Sequence, residues 1–106
     1  MIDRQQVLKE MKSIESYFLR NIATHELFQP EFECARTVNN LLEQNPNLTV
    51  TVAEEILSIY NKTNAAQHYD GSGWFDYQLH LIHILNLHNI PTKMDHHTGA
   101  INLKPA

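Results

Sequence analysis

The stretch WFDYQLHLIHILNLHN, running from Trp74 to Asn89, decides the fold. On a helix, at about 100° per residue, Trp74, Phe75, Tyr77, Leu79, Leu81, Ile82, Ile84 and Leu85 cover more than half the circumference. Asp76, His80 and His83, with Leu87 among them, leave only a narrow polar strip. A helix apolar over so wide an arc is expected at the centre of its domain, covered by its neighbours. Pro91 is expected to end it.

Three amphipathic segments upstream supply the covering. Over residues 3–20, Val7, Leu8, Met11, Ile14 and Phe18 recur at steps of one, three and four and line one face, with Ile22 following. A second helix is expected over 30–44, with Pro30 at its first position, where a missing N–H costs nothing. Its buried side is Phe32, Ala35, Val38, Leu41 and Leu42, and Pro46 stops it. A third is expected over 52–64, opened by a capping box between Thr51 and Glu54. It fades into Asn61-Lys-Thr-Asn64. The tail, 92–106, reads as two short strands around Gly99 or as an extended arm. The expectation is therefore an all-α, four-helix bundle-like small domain over residues 1–106, with a C-terminal extended arm or short β-hairpin.

Composition narrows the function classes. The chain has 106 residues, 42% of them hydrophobic, and a net charge of −4. That balance argues against a protein that grips phosphate backbones, which needs a basic surface. No apolar run approaches the roughly 20 residues of a bilayer span, and no basic-then-apolar leader is read at the start. The single cysteine, Cys34, cannot form an intramolecular disulfide, so the expected setting is a reducing cytoplasm. It reads as a small packing residue rather than a reactive thiol.

Two groups of residues suggest chemistry. Asp76, His80 and His83 stand at i, i+4 and i+7 and project from one side of the fourth helix, a spacing open to zinc with His68, His96 or His97 completing the set. The ordinary reading is a half-buried polar strip, and no metal or other cofactor is expected. Asp70-Gly-Ser-Gly73 is a loop too short for a phosphate cradle. The six residues Arg20-Asn-Ile-Ala-Thr-His25 resemble the R-x4-H form, with Asn after the Arg, of the HEPN ribonucleases. The resemblance implies a metal-independent cleft, with His25 as general acid or base and Arg20 stabilising the developing phosphate charge. The motif sits at the end of the first helix, whereas the family carries it in the last long one.

Charge is uneven. Residues 21–61 carry Glu26, Glu31, Glu33, Glu43, Glu54 and Glu55 against Arg36 alone, a net of −5. If these glutamates share an outer face, they form a field that steers a basic partner into contact. The expected function is a protein-binding inhibitor, an immunity protein or antitoxin blocking a basic nuclease-type toxin. A generic interaction or oligomerisation module and a HEPN-like ribonuclease are the alternatives. The expected partner surface is Glu31, Glu33, Glu43, Glu54 and Glu55, with Tyr69 and Trp74 as aromatic anchors.

Overall fold

The computed structural model describes residues 3–22, 29–66 and 72–104. Asp3 opens the first helix, α1 (Arg4–Asn21), by accepting the Gln6 amide at 2.9 Å, which satisfies one of the orphan donors of the first turn. The buried stripe of α1 is Val7, Leu8, Met11 and Phe18, as the periodicity predicts. The second helix, α2 (Gln29–Gln44), starts one residue before Pro30.

The third helix, α3 (Val50–Ala65), starts earlier than expected, and for a different reason. Thr49 is its cap, accepting the Val52 amide at 3.3 Å. Thr51 lies exposed inside the first turn, so the Thr51–Glu54 box does not form the entrance. Leu48 is buried just ahead of the cap and Ala53 is buried four residues after it. This is the arrangement of a hydrophobic staple, and it fixes where the chain enters the helix.

The fourth helix, α4 (Ser72–Leu87), also starts two residues early and ends two early. Pro91 does not end it. Asn89 adopts φ 60°, the Ile90 amide donates back to the Leu85 carbonyl at 3.0 Å, and the Asn89 amide donates to the Asn86 carbonyl at 2.9 Å. These are the two bonds of a Schellman cap. Leu85 and Ile90, both buried, are the apolar pair that accompanies it.

Of the two readings of the tail, the structure has the hairpin. Strands β1 (Thr92–Met94) and β2 (Ile101–Leu103) pair antiparallel, with Lys93 opposite Asn102. In the turn, Asp95 accepts the His97 amide on its side chain at 2.8 Å and the Gly99 amide on its carbonyl at 2.7 Å. Gly99 has φ 79°, and a Cβ there would stand 3.0 Å from Gln78 Nε2 and 3.1 Å from Asn64 Oδ1. Both the conformation and the close approach demand glycine.

The elements close a ring around one core. α1 packs against α2 and α4, α2 packs against α3, β2 lies on α3, and β1 lies on α4. The hairpin thus fills the flank between α3 and α4. Inside the ring, Trp74 stacks on Tyr60 at 5.3 Å and on Tyr77 at 6.0 Å between centroids.

This arrangement limits the expectation for α4 to its inner side. Tyr77, Leu81, Ile84 and Leu85 are buried, but Phe75, Leu79 and Leu87 are 55%, 47% and 40% exposed. A three-residue strand covers little of a helix, so the neighbours of α4 leave its outer side open. On its inner side α4 is the central rod the pattern predicts: Trp74, Tyr77, Gln78, Leu81, Ile84 and Leu85 are buried, and Trp74 and Tyr77 reach α3 and α2.

Candidate protein-binding surface

The carboxylates of α2 and α3 meet different fates. Glu31 is 3% exposed, so it belongs to the interior and not to the outer surface expected of it. Its spacing held the signal: Glu31, Cys34, Ala35 and Val38 fall at i, i+3, i+4 and i+7, on the buried stripe. Glu43 is exposed and bound to Lys12 of α1 at 2.7 Å. Glu33 is exposed and accepts the Gln29 side-chain amide at 2.9 Å. Glu54 and Glu55 are exposed, and among the described residues no ion pair reaches either. Trp74, proposed as a surface anchor, is 3% exposed and donates its indole N–H to Asn64 Oδ1 at 3.0 Å. Tyr69 lies outside the described residues.

The exposed acids do not form one continuous face. The Thr63 side chain is close enough to the Cys34 thiol to act on it, so the start of α2 lies beside the end of α3. Glu33 therefore sits at one end of the pair and Glu54 with Glu55 at the other. About nine residues of helix separate them, some 13 Å at 1.5 Å per residue. Arg36, whose guanidinium lies 5.2 Å from the Phe32 ring centroid, shares the Glu33 end. The unbalanced negative charge is concentrated at the start of α3.

A shallow cleft of about 400 Å³ opens beside Glu54, between α3 and β2. Buried Leu57 and Ile101, with half-buried Leu103, form its apolar base, and Glu54, Ser58 and Asn102 are exposed along it. A polar seam holds the cleft's two walls together. Asn61 donates to the Ile101 carbonyl at 2.8 Å and accepts the Ile101 amide at 2.9 Å, as a neighbouring strand would. Tyr60 donates its hydroxyl to the Gly99 carbonyl at 2.6 Å, and burial pushes that hydroxyl's pKa up. Asn64 donates to the Thr98 carbonyl at 2.7 Å while accepting from Trp74 and Gln78.

Tyr60, Asn61 and Asn64 were missed as an anchoring set because Asn61-Lys-Thr-Asn64 looks like a fading helix end. The available signal was two asparagines placed one and four residues after an inward tyrosine.

The remaining candidates do not assemble. Among the described residues, no three His, Cys, Asp or Glu gather as a metal set would require. The His80 ring is engaged on both nitrogens, with the Asp76 carbonyl 2.7 Å from Nδ1 and Glu10 Oε2 2.8 Å from Nε2. That hydrogen bond, with a second from Gln6, lowers the Glu10 carboxyl below its usual 4.5. His96 and His97 are exposed in the hairpin turn, and His68 lies outside the described residues. Arg20 is exposed at the end of α1, and His25 lies outside the described residues. Burial pushes the Cys34 thiol up to about 11, with the Glu31 charge adding to the rise, so it is protonated and unreactive near neutrality.

Among the described residues, no helix is long and apolar enough to cross a membrane. Comparison with known protein families, with characterised proteins and with solved structures finds no match.

Proposed function

We propose that this protein is a stoichiometric protein-binding inhibitor that works in a reducing cytoplasm, most specifically an immunity protein or antitoxin for a basic, nuclease-type toxin. The observation that carries the reading is the α3–β2 cleft, with Glu54 on the rim of its shallow apolar floor and Glu55 next to Glu54 in the chain. Both carboxylates are exposed and have no ion pair among the described residues. A lysine or arginine brings both halves of the complement, an aliphatic stem for the floor and a cationic head for the rim. A nuclease cleft built to hold phosphates presents several such side chains together. The net charge of −4 adds a longer-range attraction that speeds encounter.

The reading predicts tight, salt-sensitive association with a basic protein encoded beside this one, and loss of that protein's nuclease activity at equimolar ratio. The decisive measurement is the association rate at low and at physiological salt, for the parent chain and for E54Q/E55Q. The expected result is slower association of the double variant, with a shallower salt dependence and the same fold by circular dichroism. Equal rates for parent and variant, or no association with the neighbouring product, would remove the support.

A further inference from the structure

We propose that the outer face of α4 is a self-association surface, on which α4 of a second copy of this chain lies antiparallel. Phe75 and Leu79 are 55% and 47% exposed and one helical turn apart, and half-buried Ile82 continues their line three residues on. Among the described residues no element covers this line: the contacts of α4 run from Trp74, Tyr77, Gln78 and His80, on its other sides. A stripe of large apolar side chains on the outside of a small domain is the ordinary mark of an interaction site.

The polar residues beside the stripe identify a second copy as the occupant. Asp76 and His83 flank the stripe on one side, seven residues and so two turns apart. A two-fold axis perpendicular to α4, passing midway between them, reverses the helix and keeps that flank on the same side of the interface. Asp76 of each copy then faces His83 of the other, and the pair forms twice. The same axis passes beside Leu79, bringing the two Leu79 side chains together. Phe75 falls into the gap between positions 82 and 86 of the opposing helix, in the manner of ridges entering grooves. A surface that complements itself under one rotation is what an isologous dimer requires.

Sedimentation velocity over a concentration series, with the untagged chain, tests this directly. The expected result is a reversible monomer–dimer equilibrium that L79E weakens by about tenfold or more, the scale of one well-placed interface residue. Leu79 is half exposed, so L79E is expected to keep the parent's fold by circular dichroism. D76K is expected to weaken the dimer, and D76K/H83E to restore it, which loss of an unrelated contact would not do. Under mild oxidation L79C is expected to give a disulfide-linked dimer, whereas S58C on α3 is not. A chain that stays monomeric throughout, a dimer indifferent to L79E, or absence of the L79C cross-link would each overturn the proposal. None of these outcomes depends on whether the α3–β2 cleft binds a toxin.

Discussion

Tyr77 of α4 donates its hydroxyl to Asn39 Oδ1 of α2 at 2.8 Å, with both side chains fully buried. The amide of Asn39 then donates across to α1, to the Met11 carbonyl at 3.2 Å and Glu15 Oε1 at 2.9 Å. Three helices are thus joined by one side chain whose donors and carbonyl are all engaged. Burial raises the Tyr77 hydroxyl well above its usual pKa, so it is a donor at neutral pH.

Y77F is therefore expected to leave the Asn39 carbonyl without its donor at nearly constant volume. The expected cost is about 1–3 kcal/mol, because a buried acceptor loses both its partner and water. Urea denaturation measures it as a lower midpoint with an unchanged slope. N39L and Y77F together are expected to cost less than the sum of the two alone, since each removes the other's partner.

That network was not visible in the sequence, although much of the scaffold around it was. The apolar spacing of α1 and α2 names most of their buried apolar residues, with Ile14 and Leu41 half-buried, because each helix has one dominant inward side. The same method names the inner side of α4 but not its limits, because apolar residues extend past the side that the rest of the domain covers. Periodicity records which residues are apolar, and Phe75 and Leu79 are outside for want of a neighbour. The candidate surface was legible in its charge and not in its shape. Glu31 and Glu43 count equally with Glu54 and Glu55 in a tally, yet one is buried and one is bound to Lys12. Asn39, Asn61 and Asn64 matter through partners 24 to 40 residues away, a separation at which local pattern carries no information.

The hairpin depends on α3 more than on its own pairing, since two strands of three residues are marginal alone. N61A removes both hydrogen bonds to Ile101 and is expected to free the β2 backbone while the helices persist. Hydrogen exchange at the Ile101 amide reads this as a large loss of protection, with helical ellipticity nearly unchanged. G99A is expected to act at the same place from the other side, costing about 1–2 kcal/mol for the left-handed conformation before any clash with Gln78 and Asn64.

Asn89 ends α4 at a backbone angle that only glycine adopts freely. N89G is expected to stabilise the protein by a few tenths to about 1 kcal/mol, and N89A to destabilise it by about 1 kcal/mol. Thermal melts of the two variants should move in opposite directions. A common direction would mean that the Asn89 side chain contributes more than its backbone.

His88 supplies a pH dependence with a definite sign. Its Nε2 accepts from Arg4 Nε at 2.7 Å, and Arg4 also donates to the Leu42 and Asn45 carbonyls at the end of α2. Burial first, and then the Arg4 charge, hold the His88 ring below its usual 6.5. A protonated ring loses its acceptor and faces the guanidinium as a like charge. The unfolded chain therefore binds this proton more readily than the folded one. The contribution of His88 to stability is complete above pH 6.5 and is lost as pH falls from there through the lower folded-state value. The Glu10–His80 contact acts in a separate window, since the lowered Glu10 carboxyl loses its contribution only below about its ordinary 4.5. H88N retains an acceptor for Arg4 but does not titrate. Between about pH 7.5 and 5.5, urea midpoints are expected to fall for the parent and to fall measurably less for H88N. Parallel curves for the two proteins would assign the mild-acid loss to other histidines and leave Arg4 as a helix-end cap only.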